Sequence, residues 1–258
     1  MSIAKNKYLN LKTFFSDRKG AERTITLNTL TNHIANSNKG LVDFVMLWGA
    51  SNKTASTQSD AESLLYLFHF LKRVEDIYQV KTNLTLIFTD THAYLNGYSD
   101  SNYSRYIKDI SYHIKKHSFK WVLSSLMCKD KIMASGYDTY PGFIDNIIAN
   151  SMELFNTINL DEKNLGAVEN FYKYALRHCN RIGKHESGLA FKNAEAAAKA
   201  YLYFAFFEKA VITKAFEGAA FITYMSREEE FALPDLPIIR LFSMKSGLRT
   251  RPWFSYTN

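Results

Sequence analysis

Cysteine, proline and long apolar runs are all scarce in this sequence. Its 258 residues include only two cysteines, Cys128 and Cys179, which do not form a CxxC pair. A disulfide framework is therefore not expected, and a reducing, cytoplasmic compartment is predicted. No stretch reaches the roughly 18 apolar residues of a membrane-spanning helix, and the first residues lack the apolar segment of a secretion signal. We therefore predict no membrane partner.

Several signatures of known sites are absent as well. Without a G-x-G-x-x-G or G-x-x-x-x-G-K-[ST] motif, the sequence has no standard dinucleotide or P-loop site. Without G-x-S-x-G, it lacks the nucleophile elbow of serine hydrolases. His113 and His117 lie one helical turn apart, but no nearby carboxylate or cysteine completes a ligand set. No metal site is predicted.

The composition is that of a globular protein with a basic surface. Hydrophobic residues make up 47% of the chain and aromatic residues 15%, which is enough for a substantial core. We therefore expect residues 1–258 to form a single domain. The net charge is +7, and such a surface attracts tRNA or small anionic substrates. Because the lysines and arginines are spread along the chain, a soluble basic surface is favoured over a nucleic-acid surface.

Strand and helix patterns alternate in residues 41–128. Apolar, β-rich runs predict three strands, at Phe44–Trp48, Leu84–Thr89 and Trp121–Ser124. Amphipathic helical patterns separate them, and the first of these follows Ser59, which reads as the N-cap of a capping box closed by Glu62. Strands that alternate with helices indicate right-handed crossovers and a parallel, Rossmann-like sheet. The predicted fold class is therefore α/β.

The rest of the chain has a different organisation. Residues 1–40 are expected to form a helical and loop segment, residues 129–217 a mainly helical second half, and residues 218–258 a strand-rich tail. Within the tail, Ala219–Met225 and Ile238–Phe242 predict a short antiparallel strand pair.

The first candidate site is the loop that follows strand one. Ligands of open α/β sheets bind beyond the carboxyl ends of the strands, where helix N-termini favour anions. We therefore expect Gly49, Ser51 and Lys53 to bind substrate or cofactor, with Trp48 as part of the pocket wall. The alternative for these residues is a solvated loop.

The second candidate site is the turn after strand two. Asp90 can accept hydrogen bonds from an ammonium, a ribose or a hydroxyl, and His92 can act as a general base. Tyr94 is expected to add a wall to the pocket. A strand-end acid is usually partly exposed, so Asp90 is predicted to matter for binding more than for folding. The alternative is that Asp90 caps a helix and that His92 is incidental.

Two further candidates come from the second half. Arg240 and Lys245 belong to a cationic tail that suits a phosphate or carboxylate, unless the tail is merely solvated. Glu208 follows an aromatic helix stripe, where an acid can have a shifted pKa and act in catalysis. The alternative is a core helix from which Glu208 reaches the surface.

The quoted motifs bear a resemblance to a known family. WGASNKTASTQSDAE, residues 48–62, and LIFTDTHAYLNGYSD, residues 86–100, resemble the isonitrile synthases of pyoverdine- and dityrosine-type biosynthesis. The tail resembles that family's closing Arg-Leu-Ser, Lys and Pro-Trp elements. The resemblance implies a Rossmann-like core and an amino-acid substrate in secondary metabolism. It also implies that Lys53, Asp90, Arg240 and Lys245 lie near the ligand.

A second, weaker resemblance points to cyclodipeptide synthases. Their Gly-x-Ser loop after strand one matches Gly49-Ala50-Ser51, and they use charged tRNA. That family also has a tyrosine four residues before a glutamate on a late helix. Here Phe204 stands four residues before Glu208, so the hydroxyl is missing and the tRNA-dependent alternative is weakened.

The predicted function is therefore an enzyme of transferase or lyase type that modifies an amino acid or a derivative. One alternative is a transferase or cyclase that uses S-adenosylmethionine, with an acid of strand two on the ribose and aromatic rings near the sulfonium. The other is an aminoacyl-tRNA-dependent condensing enzyme or a tRNA-binding module. The cofactor is not identified by the sequence.

Overall fold

The structure, a computed structural model, describes residues 11, 13–15, 22–37, 40–49, 57–91, 100–158, 194–224 and 233–241. Its elements within these ranges are α1 (Glu22–Asn36), β1 (Leu41–Trp48), α2 (Gln58–Tyr78), β2 (Lys81–Phe88), α3 (Asp100–Lys116), β3 (Lys120–Leu123), α4 (Ser124–Ala134), α5 (Tyr140–Asn156), α6 (Ala194–Ala215), β4 (Ala220–Thr223) and β5 (Ile238–Arg240). None of these helices is both long and apolar enough to cross a bilayer.

The five strands form one sheet in the order β3–β2–β1–β4–β5, and every pair is parallel. The chain moves outward from β1 through β2 to β3 and then returns to β4 on the opposite side of β1. The predicted Rossmann-like parallel sheet is confirmed. Since all strands point the same way, their carboxyl ends share one edge of the sheet, where ligands of such folds bind.

The predicted antiparallel pair in the tail is wrong. β4 and β5 are parallel, with Phe221 opposite Ile238 and Thr223 opposite Arg240. The apolar pattern identifies the strands but not their direction. The segment between them, residues 224–237, reaches the dozen or so residues that a parallel crossover needs. An antiparallel contact does occur at the end of β5, as an isolated bridge between Phe15 and Leu241.

Helices pack on both faces of the sheet. In β1, Val42, Phe44 and Met46 belong to a core cluster with the helices on one face, whereas Val45 packs in a second cluster with Ile212 of α6. Successive side chains of a strand point to opposite faces, which explains the division. A third cluster fills the space among α4, α5 and α6, and its buried members are Cys128, Ile132, Phe143, Ile144, Ile147, Ala200, Phe204 and Phe207.

Helix α2 begins two residues earlier than predicted. Thr57, not Ser59, is the N-cap, and its side chain accepts a hydrogen bond from the Asp60 backbone N–H at 3.3 Å. Asp60 Oδ2 accepts a bond from the Thr57 N–H at 2.9 Å, which completes the capping box. The sequence holds two overlapping patterns of this kind. The structure has the pattern that uses Asp60, whose other oxygen also accepts a hydrogen bond from Tyr106 in the core.

Candidate active site

Two acids meet beyond the carboxyl ends of β2 and β3. Asp90 follows β2 after one residue, and Ser124 and Ser125 follow β3 directly. The register pairs Phe88 with Leu123, so the residues after these two strands are neighbours. Asp90 is buried, with 4% of its surface exposed. The expectation that a strand-end acid is partly exposed is therefore wrong here.

Asp90 binds the N-terminus of α4. Asp90 Oδ1 accepts a hydrogen bond from the Ser125 backbone N–H at 3.0 Å, and Oδ2 accepts one from the Ser125 hydroxyl. The N-cap residue of α4 is Leu123, whose side chain cannot cap the helix. Asp90 satisfies one of the unpaired N–H groups in its place and lies at the positive end of the helix dipole.

Glu208 of α6 approaches the same point from the opposite direction. The Ser124 hydroxyl donates a hydrogen bond to Glu208 Oε1, and the Thr91 hydroxyl donates one to Ser124 Oγ at 3.4 Å. Glu208 is 3% exposed. The alternative that Glu208 reaches the surface from a core helix is therefore wrong, because the side chain is buried. Ser125 therefore binds Asp90, and the adjacent Ser124 binds Glu208.

The charge of Glu208 acts on Asp90. Burial raises the pKa of Asp90, its hydrogen bonds with Ser125 oppose that rise, and the nearby charge of Glu208 adds to it. The result is an Asp90 pKa above the ordinary value. A buried acid with a raised pKa favours retention of a proton or acquisition of a cation.

Two tyrosines and a cysteine surround the acids. Burial, followed by the charges of Asp90 and Glu208, raises the pKa of Tyr140, and burial and the Asp90 charge likewise raise the pKa of Tyr103. Both side chains are therefore neutral hydroxyl groups at physiological pH. Burial raises the pKa of Cys128 to about 12, so its thiol is not a thiolate nucleophile.

Tyr103 contributes a hydroxyl group that no described residue satisfies. The side chain extends from α3 and is 7% exposed. Its hydroxyl has no hydrogen-bond partner within the part of the chain that the structure describes. A buried hydroxyl without a partner is costly, and where it persists beside charged groups it is a ready contact for a ligand.

A cavity of about 270 Å³ opens beside the acid pair. Ser125 and Tyr140 bring it into contact with the cluster, while α4 and the turn before α5 supply the rest of its wall. The remaining lining residues are Leu123, Leu126, Lys129, Ile132, Met133, Tyr137, Asp138 and Thr139. The wall is mostly apolar, with one cation and one acid, as is typical of small-molecule sites.

Other predicted site residues occupy different places. Trp48 is in the core, where its indole N–H donates to the Tyr106 hydroxyl at 2.7 Å. Gly49 is exposed at the end of β1. Arg240 is buried at the end of β5, three strand spacings or about 14 Å from the strand of Asp90. The residues Ser51, Lys53, His92, Tyr94 and Lys245 lie outside the described residues.

Sequence reasoning missed the residues that connect the acids. Candidate residues were sought beyond the carboxyl ends of strands one and two, where ligands of such sheets bind. The same expectation applies to strand three, which Ser124 and Ser125 follow. Tyr103 belongs to an apolar pattern at helical spacing, which in the sequence indicates packing and not a ligand contact. Nothing in the sequence distinguishes Tyr140 in advance. Among the described residues, no group of three or more His, Cys, Asp or Glu side chains is arranged to hold a metal ion.

Comparison with known proteins gives structural likenesses only. No family model and no curated protein matches the sequence. The crystal structure of the PvcA protein from Pseudomonas aeruginosa matches with a TM-score of 0.62 and 12% identity, over 92% of this chain and 83% of that chain. The suspected resemblance to pyoverdine-related isonitrile synthases is thus confirmed at the level of the fold.

Two further structures match with lower scores. A cyclodipeptide synthase from Candidatus Glomeribacter gigasporarum, bound to Phe-tRNAPhe, has a TM-score of 0.47 and 8% identity, over 81% of this chain and 89% of that chain. Tyrosyl-tRNA synthetase from Archaeoglobus fulgidus, complexed with L-tyrosine, has a TM-score of 0.42 and 11% identity, over 92% of this chain and 63% of that chain.

Proposed function

We propose that this chain is a biosynthetic enzyme, of transferase or lyase type, that acts on an amino acid or a small derivative of one. The observation that carries the proposal is the buried pair Asp90 and Glu208, placed at the ligand-binding edge of the sheet beside a cavity. A fold hosts many functions, so the argument rests on this site and not on the likeness to PvcA.

The acid pair is suited to the ammonium group of an amino acid. Burying carboxylates is costly unless a cation or a proton accompanies them. A primary ammonium offers three donors, and its hydrogen bonds to carboxylates are strengthened by charge. We assign ammonium binding to Glu208 and Asp90 together. The hydroxyl of Tyr103 is available to donate to an oxygen of the same ligand.

Asp90 is the group that we assign to proton transfer. A general base works best when its pKa lies near the working pH, and burial moves the pKa of Asp90 in that direction. Removal of a proton from the ammonium by Asp90 yields the free amine, which is the nucleophilic form. Glu208 then holds the remaining N–H groups in place.

The size of the cavity favours a small substrate. Its volume of about 270 Å³ lies just below the roughly 300–1,000 Å³ of sites for drug-sized ligands. A single metabolite fits such a space. Binding of a carboxylate or phosphate by Ser51, Lys53, Arg240 and Lys245, and participation of His92 and Tyr94, stay predictions.

Thermal shift with a panel of ligands tests the proposal. Free amino acids at millimolar concentration are expected to raise the melting temperature, because a ligand that binds only the folded state stabilises it. S-adenosylmethionine and tRNA form two further arms, and tRNA binding must weaken steeply with salt. If no amino acid shifts the midpoint while either of those two does, the proposed substrate class is wrong. Turnover is then followed by mass spectrometry with co-substrates that include a pentulose phosphate.

A further inference from the structure

Lys129 is a cation on the wall of the cavity beside the acid pair. It belongs to α4 and lines that cavity together with Ser125, which precedes it by about one helical turn. Residues four apart share a helix face and are about 6 Å apart along the helix axis. Side chains of a helix tilt toward its N-terminus, so the Lys129 side chain leaves the backbone in the direction of the turn where Ser125 binds Asp90.

The charge of Lys129 has no partner within the part of the chain that the structure describes. Its side chain is exposed and forms neither an ion pair nor a hydrogen bond there. Asp138 lines the same cavity but forms no salt bridge with Lys129. Among the described lining residues, no other is a lysine or an arginine. Lys129 is thus the cation that the cavity offers to an anionic group of a ligand.

We propose that Lys129 binds the carboxylate of the amino acid whose ammonium group is held by Asp90 and Glu208. The assignment rests on the proposed function and completes it, because an α-amino acid carries both groups on one carbon atom. A carboxylate brought close to two acids without a cation would be repelled by them. A lysine ammonium offsets that repulsion and donates charge-assisted hydrogen bonds to the carboxylate oxygens.

The position of Lys129 suits this carboxylate better than that of Arg240. Arg240 ends β5, three strand spacings or about 14 Å from the strand of Asp90, whereas Lys129 lines the cavity beside that acid. Leu126 and Met133, each about one helical turn from Lys129, line the cavity as well. A ligand that fills the space between these apolar side chains excludes water from the lysine–carboxylate pair, and the attraction between the two charges becomes stronger.

Three related ligands test the assignment by isothermal titration calorimetry. An amino acid that binds the protein is compared with its carboxamide, which has no carboxylate, and with its N-acetyl derivative, which has no ammonium. We expect the wild type to bind the carboxamide about tenfold to a hundredfold more weakly than the free amino acid, the effect of losing a charge-assisted hydrogen bond. Lys129→Met removes the charge, keeps much of the side-chain volume, and is expected to bind the two ligands about equally.

Two control variants separate the charge of Lys129 from a structural effect. Lys129→Arg keeps the charge and is expected to retain the preference for the free amino acid. Lys108→Met removes an exposed lysine of α3 that does not line the cavity, and it should bind all three ligands as the wild type does. Both positions are exposed, so the variants should fold with nearly unchanged melting temperatures.

The outcomes distinguish the role of Lys129 from the proposed function. Equal binding of the free amino acid and its carboxamide by the wild type, or a wild-type preference in Lys129→Met, would overturn the role of Lys129. If amidation weakens binding and N-acetylation does not, the carboxylate assignment holds and the ammonium assignment fails. The opposite pattern contradicts Lys129 alone. If no free amino acid binds, both assignments are wrong.

Discussion

The carboxylate of Asp90 accepts two hydrogen bonds from Ser125, one from the backbone N–H at 3.0 Å and one from the hydroxyl. These contacts join the end of β2 to the first turn of α4. Asp90 therefore has a structural role as well as the role that we propose in binding. Folding and function are combined in one buried side chain.

Asp90→Asn is accordingly expected to lower stability and ligand binding together. The amide oxygen can still accept from the Ser125 N–H, and the amide NH2 group can donate to the Ser125 hydroxyl once that hydroxyl rotates. Two bonds to a carboxylate thus become two neutral bonds, and we expect a loss of about 1 kcal/mol in the free energy of unfolding, the difference between charged and neutral hydrogen bonds. Amino-acid binding is expected to weaken about tenfold to a hundredfold. Urea denaturation and calorimetry measure the two effects, and unchanged stability would show that the contacts with Ser125 are unimportant.

The pH dependence of that variant follows from the raised pKa of Asp90. An acid whose pKa is higher in the folded state binds protons more tightly there. Its contribution to stability is complete below its unfolded pKa of about 3.9 and is lost as the pH rises through the folded pKa. The stability deficit of Asp90→Asn relative to the wild type is therefore expected to be largest near pH 4 and to shrink toward pH 7. A deficit that grows with pH would contradict the burial argument.

Tyr103→Phe is expected to separate stability from binding. Because the described residues leave the Tyr103 hydroxyl without a partner, its removal relieves a desolvation cost. The variant should be as stable as the wild type or about 1 kcal/mol more stable. Its affinity for the ligand should fall, since the ligand is the expected acceptor. Stability and affinity that both stay unchanged would remove Tyr103 from the site.

Tyr106 is the matched structural tyrosine on the same helix. Its hydroxyl accepts a bond from the Trp48 indole and donates to Asp60 Oδ1 at 3.2 Å. Tyr106→Phe leaves that indole N–H buried and unpaired, at an expected cost of about 1–3 kcal/mol. Tyr112→Phe is the control, because Tyr112 is 69% exposed. Chemical denaturation followed by tryptophan fluorescence checks both, and equal stabilities would mean that the Trp48–Tyr106 bond contributes nothing.

The sequence predicted the sheet better than it predicted the site. Apolar runs and helical periodicity are local, so they located β1, β2 and β3 and the parallel order that their connections impose. The direction of β5 depends on how the chain crosses the sheet, which no local pattern records. Likewise, Asp90 was found because it ends a strand, whereas its contacts with α4 and its closeness to Glu208 depend on helices far along the chain. The single-domain organisation of residues 1–258 stays a prediction.

A group of histidines between α2 and α3 is expected to make the protein sensitive to acid. Burial lowers the pKa of His117, and the positive charges of Lys116, His113 and His69 lower it further. A base whose pKa is lower in the folded state stabilises the protein above its unfolded pKa of about 6.5, and that contribution is lost as the pH falls. Unfolding at a series of pH values should show His117→Asn losing less stability than the wild type below pH 6.5. If stability changed with pH in the same way in the wild type and in His117→Asn, this prediction would be contradicted.

The central claim, that Asp90 and Glu208 bind an ammonium group, is tested most directly by isothermal titration calorimetry with paired ligands. An amino acid that stabilises the protein is compared with its N-acetyl derivative, which has the same side chain and carboxylate but no ammonium. The account predicts that the wild type binds the free amino acid and that N-acetylation weakens binding at least about a hundredfold, as expected when charge-assisted hydrogen bonds are lost. In Glu208→Gln the preference for the free amine should largely disappear. Equal binding of both ligands by the wild type, or an unchanged preference in Glu208→Gln, would contradict the account.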